Sequence, residues 1–137
     1  MVPISKIKGI SSLLKDWTTD NNGMKAAFTE IVELLESFDG LTYSFKSRPK
    51  ISYSLRVRVD REKKLLTLMD IIDDDPENRW ISICFYADTI TDPDEEGDLI
   101  PGGLLGEDGY CFDLFENNEE SLGYIKDRIS EAYGKYF

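Results

Sequence analysis

The chain has 137 residues, no histidine, and a formal net charge of −11. The absence of histidine excludes Ser-His-Asp and Cys-His nucleophilic sites, and it excludes zinc and non-haem iron sites that depend on histidine. The negative charge repels nucleic acid and anionic membranes, so we expect neither as a partner. We expect one domain over residues 1–137, without a membrane span or a signal peptide, in the cytoplasm.

Residues 1–40 predict two helices. Apolar residues recur at helical spacing over residues 4–17, although Gly9 weakens this helix. A second amphipathic pattern begins at Met24 and ends at Asp39-Gly40, where glycine suits a helix C-terminus.

The spacing of the apolar residues then changes to two, which predicts an antiparallel sheet over residues 41–116. The predicted strands cover residues 41–46, 50–60, 65–72, 79–90 and 110–116. Residues 91–109 are predicted to be a long acidic, glycine-rich loop, and residues 117–137 a C-terminal helix capped by Asn117-Asn118. The predicted fold is α+β: a five-stranded antiparallel meander with its helices mainly on one face. This order of elements resembles several small α+β families, the frataxin-like fold among them, and it implies no function.

Residues 70–120 contain 17 acidic residues and one basic residue, Arg79. We expect Arg79 to form a structural salt bridge. A field of this sign attracts basic protein surfaces, although it also serves solubility alone. In size, charge and lack of a catalytic signature, the chain resembles immunity proteins and inhibitors of basic toxins. We therefore predict a protein-interaction module that docks on a basic partner. The residues predicted to bind that partner are Asp73, Asp74, Asp75, Asp94, Glu95, Glu107 and Asp108. This hypothesis requires one contiguous acidic face built from residues 73–77, 92–98 and 107–108.

A divalent-metal or small-ligand site is the alternative. Carboxylates alternate before a glycine, as at the opening of a calcium loop. The candidate ligands are Asp92, Asp94, Glu96 and Asp98. Pro93 and a glycine at the twelfth position, Gly103, depart from that pattern. No cofactor is expected otherwise, because the glycines of residues 97–109 lack the Lys-Ser/Thr of a phosphate-binding loop.

A carboxylate-dependent enzyme is the third hypothesis, which we rank last because no nucleophile and base stand at a recognisable spacing.

Cys84 and Cys111 lie in apolar strand-like runs, so we expect two reduced core thiols, with a cross-strand disulfide as the alternative. Eight basic residues occur between positions 46 and 64, and they are interpreted as the charged outer side of the sheet or as complements to acids elsewhere. They are Lys46, Arg48, Lys50, Arg56, Arg58, Arg61, Lys63 and Lys64.

Overall fold

The computed structural model describes residues 4–61 and 64–137, and in that part of the chain it contains three α-helices and six strands. The helices are α1 (Lys8–Asp16), α2 (Met24–Glu36) and α3 (Glu119–Tyr136), with 3-10 turns at Ile4–Lys6 and Ala87–Thr89. The strands are β1 (Leu41–Arg48), β2 (Ser52–Val59), β3 (Lys64–Ile72), β4 (Trp80–Tyr86), β5 (Asp98–Leu104) and β6 (Glu107–Leu114). Among the described residues, no helix is long and apolar enough to cross a membrane.

The strands form one antiparallel sheet in the order β1-β2-β3-β4-β6-β5. The α+β class and the antiparallel sheet are therefore confirmed, but the prediction of five strands is wrong. The sixth strand, β5, lies inside the predicted loop 91–109 and forms a hairpin with β6, with Asp98 opposite Cys111 and Leu104 opposite Glu107. Gly106 in its turn has a φ of 86°, a conformation that glycine adopts without strain. Because β6 lies between β4 and β5, the sheet is not a simple meander.

The helices cover one face of the sheet, and the core lies between them. Alternation along the strands directs one set of side chains towards the helices. That set includes Leu55, Val57, Met69, Ile71, Ile81, Ile83, Phe85, Phe112 and Leu114, all buried with residues of α1, α2 and α3. A Cβ on Gly9 would lie 2.7 Å from the ring of Phe45, so this glycine allows α1 to approach β1 closely.

The turn between β3 and β4 contains a buried ion pair, as expected for Arg79. Arg79 Nε lies 2.7 Å from Asp73 Oδ1, and the two side chains are 8% and 3% exposed. The guanidinium also lies over the ring of Trp17, with its Cζ 5.2 Å from the ring centroid. The backbone N–H of Lys50 donates to Asp73 Oδ2 at 2.9 Å. The pair therefore joins the β3–β4 turn to the β1–β2 turn and to the end of α1.

Asp73→Ala is expected to reduce the free energy of unfolding by about 3–5 kcal/mol, because it leaves the Arg79 charge buried without its partner. Asp74→Ala is the matched control, since Asp74 is the exposed neighbour in the same turn. Urea unfolding followed by tryptophan fluorescence measures both variants. Equal effects of the two substitutions would contradict the assignment.

Cys84 and Cys111 form a disulfide between β4 and β6. They are directly opposite each other in the strand register, with Cα atoms 4.1 Å apart. The prediction of two reduced thiols is therefore wrong. Both half-buried side chains lie on the face that the helices leave uncovered. The two positions are 27 residues apart, so the bond closes a segment that includes β5 and the connection leading to it.

Replacing both cysteines by serine is expected to reduce the free energy of unfolding by about 2–4 kcal/mol, because the open chain gains conformational entropy when it unfolds. Urea unfolding followed by circular dichroism measures the loss. Thiol titration of the denatured, unreduced wild-type protein is expected to detect no free thiol; two titratable thiols would contradict the pairing.

Candidate functional site

The connection from β4 to β5 contains an acidic loop, residues 91–97, that is closed by a single carboxylate. Asp92 Oδ1 accepts a hydrogen bond from the backbone N–H of Glu96 at 3.0 Å, and Oδ2 accepts one from the N–H of Gly97 at 2.9 Å. The hydroxyl of Tyr124 also donates to Asp92 Oδ1. An aspartate that accepts from backbone groups a few residues ahead is a common way to fix a turn. Asp92 therefore has a structural role inside the loop.

These hydrogen bonds also shift the protonation equilibria of the pair. Burial acts to raise the pKa of Asp92, but the hydrogen bonds from Tyr124, Gly97 and Glu96 outweigh it, so this pKa lies below its ordinary value of 3.8. Burial, and next the hydrogen bond to Asp92, raise the pKa of Tyr124. At neutral pH the carboxylate is therefore ionised and the phenol keeps its proton, as the donor in this contact requires.

Helix α3 holds the acidic loop at two points. In the second turn of α3, the Tyr124 hydroxyl donates to Asp92 and accepts from the backbone N–H of Asp94 at 3.2 Å. Two turns later, Glu131 accepts from the backbone N–H of Thr91 at 2.8 Å and from its hydroxyl at 2.7 Å. Arg128 lies between these points, with its Cζ 4.5 Å from the centroid of the Tyr124 ring and its Nε 3.3 Å from Glu131 Oε1. Hydrogen bonds therefore hold the acidic loop against one side of α3.

An acidic cleft lies between this loop, the end of β6 and the first turns of α3. Four carboxylates line it, together with three apolar side chains, Ser121 and Tyr124. The carboxylates are Asp94, Glu96, Asp113 and Glu120, and the apolar side chains are Phe112, Leu114 and Ile125. Among residues 4–61 and 64–137, no lysine or arginine lines the cleft. One edge of β6 in the cleft has no strand partner. β5 pairs with β6 only as far as Cys111, so among the described strands none pairs with the β5-facing edge of residues 112–114.

The size of the cleft distinguishes between kinds of ligand. Its volume is about 80 Å³. Sites for small molecules and cofactors usually measure about 300–1,000 Å³ and enclose most of the ligand. The acidic cleft is therefore smaller than a typical site for a small molecule or cofactor.

The residues predicted to bind a partner do not form one surface. Asp74 and Asp75 are exposed in the β3–β4 turn, and Asp94 and Glu95 are exposed in the acidic loop. Asp73 is buried against Arg79 and cannot contact a partner. Glu107 and Asp108 lie at the β5–β6 turn, which the strand register places at the end of the sheet opposite to the β3–β4 turn. Residues 107–108 are therefore separated from the β3–β4 turn by the length of β4.

The four predicted metal ligands are not gathered around one point. Both oxygens of Asp92 accept hydrogen bonds from backbone groups of the loop, and Asp98 lies in β5, opposite Cys111. Within residues 4–61 and 64–137, no group of three or more acidic or cysteine side chains is arranged to hold a metal ion. Asp94 and Glu96 remain exposed and line the cleft instead.

Sequence reasoning missed the part of the site that α3 contributes. A polar stripe runs along this helix beside the apolar one, at spacings of four, four and three residues: Glu120, Tyr124, Arg128 and Glu131. This periodicity was readable in the sequence, since such spacing places residues on one helical face. What the face contacts was not readable, because the acidic loop reaches it from a distant part of the chain. Comparison with protein-family models, with curated proteins and with solved structures found no match.

Asp92→Asn is expected to reduce the free energy of unfolding at pH 7 by about 1–3 kcal/mol, because the amide nitrogen offers donors where the loop requires acceptors. The folded-state pKa of Asp92 is lowered, so its contribution is present above the unfolded-state pKa and is lost as pH falls through the folded-state value. The difference between wild type and variant should therefore shrink below about pH 4. Urea unfolding at a series of pH values measures it.

Asp94→Asn is the control, since it removes the same charge from an exposed side chain of the same loop. It should change stability by less than about 0.5 kcal/mol. A loss in Asp92→Asn that is constant from neutral to acid pH would contradict the assigned role.

Proposed function

We propose that the chain is a protein-interaction module of the inhibitor or immunity type. It would dock on a basic partner through the acidic cleft, and not through the contiguous acidic face that the sequence-based hypothesis required, because residues 107–108 lie apart from the other acids. The observation that carries this proposal is a cleft with an acidic rim and an apolar floor, in whose lining the described residues place no basic side chain. The field of the acidic segment would steer a basic surface towards this region, and the cleft would select the orientation in which it docks.

The chemistry of the cleft suits a lysine or arginine side chain. Such side chains lay their aliphatic stems along apolar surface and keep the charged head in a polar environment. Phe112, Leu114 and Ile125 would contact the stem, while Glu96 and Glu120 would contact the head. A charge-assisted hydrogen bond in a partly desolvated site is stronger than one on an open surface.

The surrounding surface would enlarge the interface. Phe115 is 59% exposed at the end of β6 and stacks on Trp80, with ring centroids 4.9 Å apart. Trp80 directly follows the β3–β4 turn, so the exposed Asp74 and Asp75 lie towards the same end of the sheet as the cleft. An exposed aromatic side chain rimmed by polar groups is typical of protein interaction sites.

The test is binding of a fluorescently labelled decalysine peptide, measured by anisotropy in low-salt buffer. The variant Glu96→Gln/Glu120→Gln removes two charges from the cleft. The control Glu107→Gln/Asp108→Asn removes two charges from the opposite end of the sheet, so net charge is matched. We expect the cleft variant to weaken binding about tenfold, which corresponds to about 1.4 kcal/mol, and the control to change it less than about twofold.

Equal weakening in the two variants would mean that binding depends only on net charge, and it would overturn the proposal. Absence of binding to the wild-type protein in low salt would overturn it as well. Raising the salt concentration should weaken wild-type binding, because interactions between charges near the surface are screened.

A further inference from the structure

In the part of the chain that the structure describes, nothing covers the sheet face opposite the helices, and the charges of this open face are divided between its two sides. Strand register puts the alternate residues of β1 and β2 on this face with Leu68 and Asp70 of β3. It continues through Cys84 on β4 to Cys111 on β6 and Asp98 on β5. Most side chains on the face are exposed or half-buried, Ser52 and Leu65 being buried exceptions.

The β1–β2 side of this open face is basic. Lys46, Arg48 and Arg56 line one groove on it. Arg58 lies opposite Thr42 in the register and therefore points to the same side as Arg56. For Lys46, Arg48, Arg56 and Arg58, this placement agrees with the interpretation of the basic residues as the outer side of the sheet. Arg61 instead contacts Phe137 and the carbonyl of Tyr136 at the end of α3, and Lys63 falls outside the described residues. Asp70 on β3 accepts a hydrogen bond from the Ser54 hydroxyl, so it lies between the basic strands and the centre.

The β5–β6 side of the open face is acidic. Asp113 is two residues from Cys111 and shares its face, and Asp98 is the direct partner of Cys111. The same alternation places Glu107 on this side. No lysine or arginine occurs between residues 98 and 114, so no basic side chain of β5 or β6 offsets these acids.

Apolar and weakly polar groups occupy the middle strands of the face, β3 and β4, with Ile72 and Trp80 at the end beside the β3–β4 turn. Ile72 is opposite Trp80 in the register, and Trp80 stacks on Phe115. Leu68 is opposite Cys84, whose disulfide to Cys111 joins β4 to β6. From β1 across the sheet to β5, the open face therefore changes from basic, through apolar, to acidic.

We propose that this open face binds a second copy of the chain in a face-to-face dimer. A two-fold axis that runs between the faces, parallel to the strands, places the β1–β2 side of each copy on the β5–β6 side of the other. Basic residues then meet acidic residues twice, and the two apolar centres meet each other. Closed two-fold symmetry requires a self-complementary surface of this kind. The proposal does not rest on the proposed function: the two surfaces meet at Asp113, Trp80 and Phe115, but Glu96 and Glu120 of the cleft lie in the acidic loop and on α3, outside the open face.

The area of the open face is close to the area that one partner buries in a stable protein interface. Six strands about 4.8 Å apart span about 24 Å, and seven or eight residues at about 3.3 Å each span about 25 Å. The projected area is therefore about 600 Å², and the relief of the side chains increases it. Each partner in a stable protein interface buries about 800 Å².

Sedimentation velocity of charge-reversed variants in low-salt buffer tests the dimer. The basic-side variant is Lys46→Glu/Arg56→Glu, and the acidic-side variant is Asp98→Lys/Glu107→Lys, which leaves the lining of the acidic cleft unchanged. Wild-type protein should sediment with twice the 15.7 kDa mass of the chain. Each variant alone should dissociate to the monomer at the concentration where wild type is dimeric, because like charges then face each other across the interface. An equimolar mixture of the two variants should form the dimer again, because both contacts are then between opposite charges.

Lys8→Glu/Lys15→Glu is the control, since it changes the charge of exposed α1 residues on the other side of the molecule by the same amount. It should remain dimeric, and circular dichroism confirms that each variant is folded. Monomeric wild-type protein at every concentration, dissociation of the control, or a mixture that stays monomeric would each overturn the proposal. Dissociation by Glu96→Gln/Glu120→Gln would also overturn it, since it would move the contact from the open face to the acidic cleft.

Discussion

The structure depends on one constraint, which is that three helices cover a single face of a six-stranded sheet. Strand alternation sends apolar side chains such as Val57 and Ile83 into the core beneath the helices. The intervening residues must then face outward, and they carry the basic, apolar and disulfide groups of the open face. The core and the proposed dimer surface are thus two consequences of the same alternation.

One polar network stabilises the β3–β4 turn and another stabilises the acidic loop, and they contribute to stability in different ways. The Asp73–Arg79 pair is buried, so each charge needs the other, and the loss of one leaves an uncompensated ion. The network around Asp92 and Tyr124 is only partly buried, and it works by satisfying backbone donors of the acidic loop. The first fixes the turn between β3 and β4. The second fixes the shape of the cleft that we propose as the docking site.

The acidity of residues 70–120 is used in different ways at different positions. Asp92 closes a loop, Asp73 neutralises a buried arginine, and Glu96 lines a cleft. A count of charges treats these residues as equivalent, and it therefore predicted one continuous acidic face. The strand register instead separates residues 107–108 from the β3–β4 turn by the length of β4. The proposed interaction surface, the acidic cleft, is therefore smaller than the continuous acidic face that the charge pattern indicated.

The sequence by itself determined the helices, five of the six strands, the cap of α3 at Asn118 and the structural role of Arg79. Periodicity and capping are local properties, so a window of about ten residues is enough to read them. Only the tertiary structure decided the position of β5, the Cys84–Cys111 bond and the cleft. Residues 98–104 have no alternating pattern and become a strand only by pairing with β6. Register and the contact between loop and helix join distant segments, and no local pattern encodes which segments meet.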